Sequence, residues 1–201
     1  MPMIKNYKWG EEMSNSKICI LVENRFIDYE ISYYTHRFKE EGMQVDFMTR
    51  LWGQQRLTFK GMELGMEFSV DKSFENMDDE TLASYSAVIM PAGYVADMLR
   101  YAEKPGELAP AVQFMKRAMA NKNIIKGAIC HSLWIFDPIP EVICGRKVTC
   151  HNNVMGSVRN TGAIYVDQDI VIDGDLVTAR TGGLFAPFAR TIINEIEKRR
   201  T

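Results

Sequence analysis

Two cysteine–histidine pairs in this sequence combine residue types that could carry chemistry. They are Cys130-His131 and Cys150-His151, and they hold two of the four cysteines and two of the three histidines in 201 residues. A thiolate is a nucleophile and an imidazole moves protons near neutral pH, so either pair has the parts of a cysteine-dependent reaction. Neighbouring residues on a strand point to opposite faces, so each pair would supply only one metal ligand. We therefore expect neither a metal nor an organic cofactor.

The position of Cys130 makes it the stronger candidate. The apolar run at residues 124–129 is typical of a buried strand, and the chain resumes as a helix near Ser132. In α/β folds, sites lie outside the carboxyl ends of the strands. A cysteine on such a strand–turn–helix elbow is exposed and strained, and the positive end of the helix is expected to lower its pKa. The alternative is a buried thiol whose neighbouring histidine bonds a carbonyl.

The elements that must position these residues alternate between strand and helix. This pattern predicts a flavodoxin-like three-layer α/β/α sandwich with a mostly parallel central sheet and a nucleophile elbow. It also predicts a single domain over residues 17–199, preceded by an N-terminal arm at 1–16. The predicted strands are 17–22, 45–48, 85–90, 124–129, 148–149, 169–172 and 176–178; the predicted helices are 28–41, 108–120, 155–161 and 184–199; residues 51–70 are predicted as a hairpin.

Composition and charge exclude several classes of partner. The formal net charge is −2, and the sequence contains no run rich in Lys and Arg. We therefore expect no nucleic-acid or membrane partner. The apolar segments are shorter than the ~18 residues of a membrane span. Residues 1–16 are polar and lack the apolar core of a secretory signal, so we expect a cytoplasmic protein.

The segment AICHSLWIF, residues 128–136, resembles the AICHG nucleophile-elbow signature of the PfpI/ThiJ superfamily. The similarity extends over residues 17–198, in the same order as in PfpI-type proteins. The resemblance implies a cysteine-dependent hydrolase, deglycase or glyoxalase-like enzyme that acts on small carbonyl compounds or peptides, with Cys130 as the nucleophile. The other similar segments are KICILVENRFIDYEISYYTHRFKEEG, AVIMPAGYVADMLR, GRKVTCHNNV, NTGAIYVDQDIVIDGDLVTARTG and FARTIINEIE.

The resemblance also assigns roles around the cysteine. Glu30 matches the acidic residue placed against the cysteine sulfur, where burial would keep it protonated and able to donate a hydrogen bond. Its alternative is an ordinary glutamate in the first turn of a helix. Gly93 matches the second of two glycines whose N–H groups form the oxyanion hole. The first of these glycines is replaced by Ala92 in this sequence.

The same resemblance implies how protons are moved. His131 matches the imidazole that follows the nucleophile, and His151 matches a histidine that the deglycase branch carries near it. Asp97 falls where PfpI-type proteins place a glutamate that reaches the histidine of an adjacent subunit, which implies a homo-oligomer, either a dimer or a hexamer. The aspartate is shorter by a methylene, and its alternative is an exposed carboxylate at a helix start. The alternative for His151 is a histidine that bonds only the backbone.

Three functions remain open at this point. The first is the cysteine enzyme, and the second is a redox or stress sensor whose Cys130 is oxidised without turning over substrate. The third is a lyase similar to an isonitrile hydratase. A glutamine amidotransferase of this fold needs a histidine well beyond its cysteine. Since no histidine follows His151, that activity is not expected.

Overall fold

A computed structural model describes residues 16–200 of the chain. The predicted N-terminal arm therefore lies outside the described residues, apart from Ser16. No helix among the described residues is both long and apolar enough to cross a bilayer.

The strands are β1 Lys17–Leu21, β2 Gln44–Thr49, β3 Leu57–Lys60, β4 Glu67–Val70, β5 Lys72–Ser73, β6 Ala87–Met90, β7 Ile125–Ile129, β8 Lys147–Val148, β9 Ile164–Tyr165, β10 Ile170–Asp173 and β11 Leu176–Ala179. The α-helices are α1 Asp28–Glu40, α2 Asp79–Ala83, α3 Val95–Leu99, α4 Pro110–Ala120, α5 Met155–Asn160 and α6 Phe185–Lys198.

The central sheet has seven strands in the order β10-β11-β7-β6-β1-β2-β5. Every neighbouring pair is parallel except β10 and β11, which are antiparallel. The middle strands β6 and β7 are buried along their whole length, as expected where helices cover both faces. The predicted mostly parallel α/β sandwich is confirmed. The carboxyl ends of β1, β6, β7 and β11 consequently meet at one edge.

Helices α1 and α6 pack against each other and form one layer over the sheet. Gly127 on β7 allows α6 to approach closely, because a Cβ there would lie 2.7 Å from Ile192 Cδ1 and 2.9 Å from Phe188 Cζ. The second layer contains α3, α4 and a 3-10 helix at Cys130–Phe136, which pack against one another. The 3-10 helix occupies the place of the helix predicted near Ser132.

Outside the central sheet, β3 and β4 form an antiparallel hairpin, as predicted for residues 51–70. The loop of this hairpin is fastened to the start of α1. Asp28, which is 1% exposed, accepts hydrogen bonds from the Glu63 and Met66 amides at 2.8 and 2.7 Å. A side chain on Gly61 would overlap this carboxylate, at 2.2 Å from its Cγ. The hairpin loop is therefore held beside the edge where the strands end.

Candidate active site

The carboxyl ends of the central strands surround a cavity of about 430 Å³. Its lining includes Gly93, Cys130, His131 and His151, which are four of the six residues expected from the sequence. They come from three different segments, which follow β6, β7 and β8. The volume is in the range of small-molecule sites. The fold thus brings together residues up to 58 positions apart in the chain, from Gly93 to His151.

Cys130 occupies the turn between β7 and the 3-10 helix and has a φ of 64°. This left-handed conformation is uncommon for a residue with a side chain and stores strain. Burial raises the pKa of the Cys130 thiol, while hydrogen bonds from the backbone N–H groups of Gly182 and His131 act to lower it. The predicted lowering of the pKa by a helix terminus is therefore wrong. The elbow is mostly shielded from water, and the desolvation of the thiolate exceeds the effect of those two amides.

Glu30 is fully buried in the first turn of α1, behind the thiol. Its Oε1 accepts a hydrogen bond from Tyr34 Oη at 2.7 Å, and its Oε2 accepts one from the Ala92 amide at 2.8 Å. Burial nevertheless raises the pKa of Glu30 to about 8, so the carboxyl is protonated at neutral pH. A negative charge on Glu30 would raise the pKa of the Cys130 thiol. The two groups are therefore coupled in their titration.

The two histidines lie beside each other, with ring centroids 5.0 Å apart. The His151 amide donates to the Cys130 carbonyl at 3.3 Å, and His151 Nδ1 accepts from the Asn153 amide at 3.3 Å. An accepting Nδ1 leaves the proton of a neutral ring on Nε2. The His131 ring packs between Tyr94 and Trp134, at centroid distances of 5.9 and 5.0 Å. Burial lowers the pKa of His131, and the His151 charge adds to this, so His131 is neutral at pH 7.

Asp97 lies on α3, which packs against the 3-10 helix that carries His131. Burial raises the pKa of Asp97, and the neighbouring His131 acts to lower it. Asp97 Oδ2 is buried and has no hydrogen-bond partner in the described part of the protein. Asp97 is therefore within electrostatic reach of His131 of the same chain, without a hydrogen bond to it.

Gly93 has a φ of 82°, which favours glycine over other residues. A Cβ at this position would lie 2.4 Å from the Arg25 carbonyl oxygen. That carbonyl accepts a hydrogen bond from the next amide, of Tyr94, at 3.1 Å. The turn after β6 is thus fixed to the loop after β1. Its place on the cavity wall suits the oxyanion role that the resemblance implies for Gly93.

Gly182 and Glu63 are two of the cavity residues that the sequence analysis did not identify. Gly182 follows β11 and directs its amide to the Cys130 thiol. Glu63 reaches the cavity from the hairpin loop. The segment Thr181-Gly182-Gly183 begins three residues after the end of the strand predicted at 176–178, and that position was a usable signal for Gly182. No sequence signal pointed to Glu63, because its place depends on the tertiary contact with Asp28.

Two residues next to the site are buried. The Ser132 hydroxyl has no hydrogen-bond partner among the described residues and does not cap the helix. That helix starts at Cys130, and the residue at its N-cap, Ile129, provides no side-chain cap. Cys150 is fully buried. Burial raises the pKa of its thiol to about 12.

Known proteins are similar to this chain over most of its length. The family model described as the DJ-1/PfpI family matches residues 16–195. The chain is 32% identical over 168 residues to "Protein/nucleic acid deglycase 2" of Escherichia coli, covering 83% of this chain and 90% of the relative. It is 30% identical over 183 residues to "General stress protein 18" of Bacillus subtilis, covering 90% of this chain and 98% of the relative.

A solved structure shows the same fold. The ThiJ/PfpI domain protein of Brachyspira murdochii superposes with a TM-score of 0.76 at 19% sequence identity, covering 93% of this chain and 99% of that one. A nucleophile-elbow segment, a parallel sheet and a family match that extends over most of the chain point to the same conclusion. This chain belongs to the DJ-1/PfpI family.

Proposed function

We propose that this protein is a cysteine-dependent enzyme that acts on small carbonyl compounds, with deglycase-like or glyoxalase-like hydrolytic chemistry. The observation that carries the proposal is the placement of Cys130. Cys130 has a strained backbone at the end of β7 and lines a cavity of about 430 Å³. Two backbone amides are directed to its thiol. A cavity of this size suits a small substrate better than a folded protein.

In this proposal the Cys130 thiolate adds to the carbonyl carbon and the carbonyl oxygen becomes an oxyanion. The Gly93 amide stabilises that oxyanion in the turn after β6. His131 and His151 take up the thiol proton and return a proton to the developing alkoxide. Glu30 is protonated at neutral pH and therefore places no second negative charge beside the thiolate.

We propose that Asp97 orients and polarises His131 within the same subunit. We further propose a cytoplasmic homo-oligomer, as the resemblance to PfpI-type proteins implies. Cys130, His131 and His151 of one chain line the cavity, and Asp97 of the same chain acts electrostatically on His131, which supports a site within one subunit. Oligomerisation would then stabilise the fold or shape the cavity entrance rather than complete the acid–histidine pair.

A second function is favoured by the access of small molecules to the Cys130 thiol. Cys130 lines the cavity, so a peroxide can reach its sulfur, and the Gly182 and His131 amides directed to it suit the oxygens of a sulfenic or sulfinic acid. One relative is named a general stress protein. In this alternative Cys130 senses peroxide and turns over no carbonyl substrate.

The deciding experiment is a turnover panel of 2-oxoaldehydes, their amine and thiol adducts, peptides and an isonitrile. Cys130→Ser is the test variant. Cys144→Ser is the matched control, since Cys144 is exposed and does not line the cavity. The proposal predicts turnover of a carbonyl substrate that Cys130→Ser abolishes and Cys144→Ser preserves. Absence of turnover, together with peroxide-dependent oxidation at Cys130, would favour the sensor. Turnover of the isonitrile alone would favour the lyase.

A further inference from the structure

A carboxylate lines the cavity in addition to the cysteine and the two histidines. Glu63 is the only Asp, Glu, Lys or Arg among the described residues that line it. Burial lowers the pKa of His131, which is therefore neutral at pH 7, and Glu30 is protonated at neutral pH. An ionised carboxylate at the wall of such a cavity attracts cations and repels anions over several ångströms.

The position of Glu63 is built into the fold. Its amide is bound by the buried Asp28 carboxylate at 2.8 Å, and the adjacent Met62 amide donates to the Phe26 carbonyl at 3.0 Å. The Glu63 side chain is oriented as well, because its Oε2 accepts a hydrogen bond from the Tyr29 amide at 3.4 Å. A carboxylate has about four acceptor sites, so this contact directs it without exhausting it.

Arg25 is a positive charge that packs against a residue of the cavity wall. Arg25 places its guanidinium over the Tyr94 ring, 4.2 Å from the centroid. Tyr94 lines the cavity, whereas Arg25 does not. The charge of Arg25 also stabilises the Asp97 carboxylate, which offsets it. Glu63 therefore remains the ionised group that a molecule in the cavity meets.

We propose that Glu63 is a specificity-determining residue that selects substrates with a cationic group, such as a protonated amine or guanidinium, close to the reacting carbonyl. Substrate selection by Glu63 rests on the proposed function, because it requires that the protein is an enzyme. The charge preference of the cavity itself does not depend on turnover. Anionic carbonyl compounds of the same size are rejected. Asp28 acts as a positioning residue for this preference, because it holds the loop that carries Glu63.

The test uses the Cys130 thiol as a reporter and does not depend on turnover. Rates of modification of Cys130 are measured with a cationic and an anionic methanethiosulfonate of similar size, by intact mass and peptide mapping. The wild type is expected to react faster with the cationic reagent. Glu63→Gln should reduce the ratio of the two rates by about tenfold, and Glu63→Lys should invert it. Raising the salt concentration to 1 M should bring the wild-type ratio close to that of Glu63→Gln.

Glu67→Gln is the matched control. It removes one negative charge from the same hairpin, but Glu67 lies outside the cavity and is exposed beside Lys60. Its ratio should equal that of the wild type. A ratio unchanged in Glu63→Gln, or changed equally by Glu67→Gln, would overturn the inference. Because the readout is thiol modification, a protein that turns over no carbonyl compound can still show the preference, and the failure of either proposal is recognised separately.

Discussion

Replacement of Glu30 by glutamine tests the coupling between the buried carboxyl and the thiol. The pKa of Glu30 is raised from 4.5 to about 8 by burial, so the folded protein binds one more proton than the unfolded chain between these values. For an acid with a raised pKa, the free energy of unfolding is highest at low pH and falls as the pH rises through this interval. The interval of about 3.5 pH units, at about 1.4 kcal/mol each, corresponds to a loss of up to about 5 kcal/mol.

Glutamine has the shape of the protonated acid and does not titrate. Its oxygen can accept from the Ala92 amide, as Glu30 Oε2 does at 2.8 Å. Its amide nitrogen, which is a donor, then faces Tyr34 Oη. The Tyr34 hydroxyl can therefore no longer donate its hydrogen bond to residue 30. We expect Glu30→Gln to be less stable than the wild type by about 1 kcal/mol at pH 5, the scale of one neutral hydrogen bond. At pH 8.5 we expect it to be the more stable of the two.

The assay is urea unfolding of both proteins from pH 5 to 8.5, followed by tryptophan fluorescence. The difference between the two curves isolates Glu30, because every other titrating group is shared. The rate of Cys130 alkylation, measured in parallel, should show a lower thiol pKa in Glu30→Gln, since the negative charge that raises it is gone. Parallel stability curves, with the same difference at pH 5 and pH 8.5, would refute the assignment of a raised pKa to Glu30.

Three further predictions concern other parts of the protein. Lys126→Met should lower the free energy of unfolding by about 3 kcal/mol, because it removes the buried ammonium from the Asp175 carboxylate, which keeps only its contacts with Arg146 and Lys122. Lys126→Met combined with Asp175→Asn should recover part of the loss in urea unfolding. Mixing Cys130→Ala subunits with Asp97→Ala subunits should restore no activity, because each site needs both residues in one chain; recovery after subunit exchange confirmed by mass spectrometry would show that Asp97 acts on a partner. Gly93→Ala should reduce kcat by at least about tenfold. Alanine disfavours the φ of 82°, and its Cβ would overlap the Arg25 carbonyl oxygen, so the turn must shift. A kcat equal to that of the wild type would show that Gly93 is not part of the site.

The fold was largely predictable because its signals are local. Continuous apolar runs indicate strands buried on both faces, and the alternation of strand and helix indicates parallel crossovers. Short elements were missed, such as α2 at Asp79–Ala83, which is only five residues long. Five residues contain little more than one turn, so such helices carry no periodicity that a sequence can show. Their existence depends on the segments against which they pack.

The Cys130 pKa illustrates the limit of reasoning from position. Placing a cysteine at the start of a helix predicts a lowered pKa. The sign of the actual shift depends on how much water the thiol loses, and that quantity is set by segments remote in sequence. Glu30 from α1 and Gly182 from the loop after β11 both act on the sulfur. The pKa of Cys130 is raised because burial outweighs the amides.

The sequence by itself determined the α/β architecture, the elbow at Cys130 and the residues that resemble a known site. These depend on hydrophobic periodicity and on motifs whose parts are close together in the chain. Only the tertiary structure decided the proximity of Asp97 to His131 and the entry of Glu63 into the cavity. Both need segments far apart in sequence to meet, and the buried Asp28 carboxylate that fixes Glu63 gives no local signal of its partners. The chemistry of the site is thus encoded locally, whereas its electrostatics follows from the packing of the whole domain.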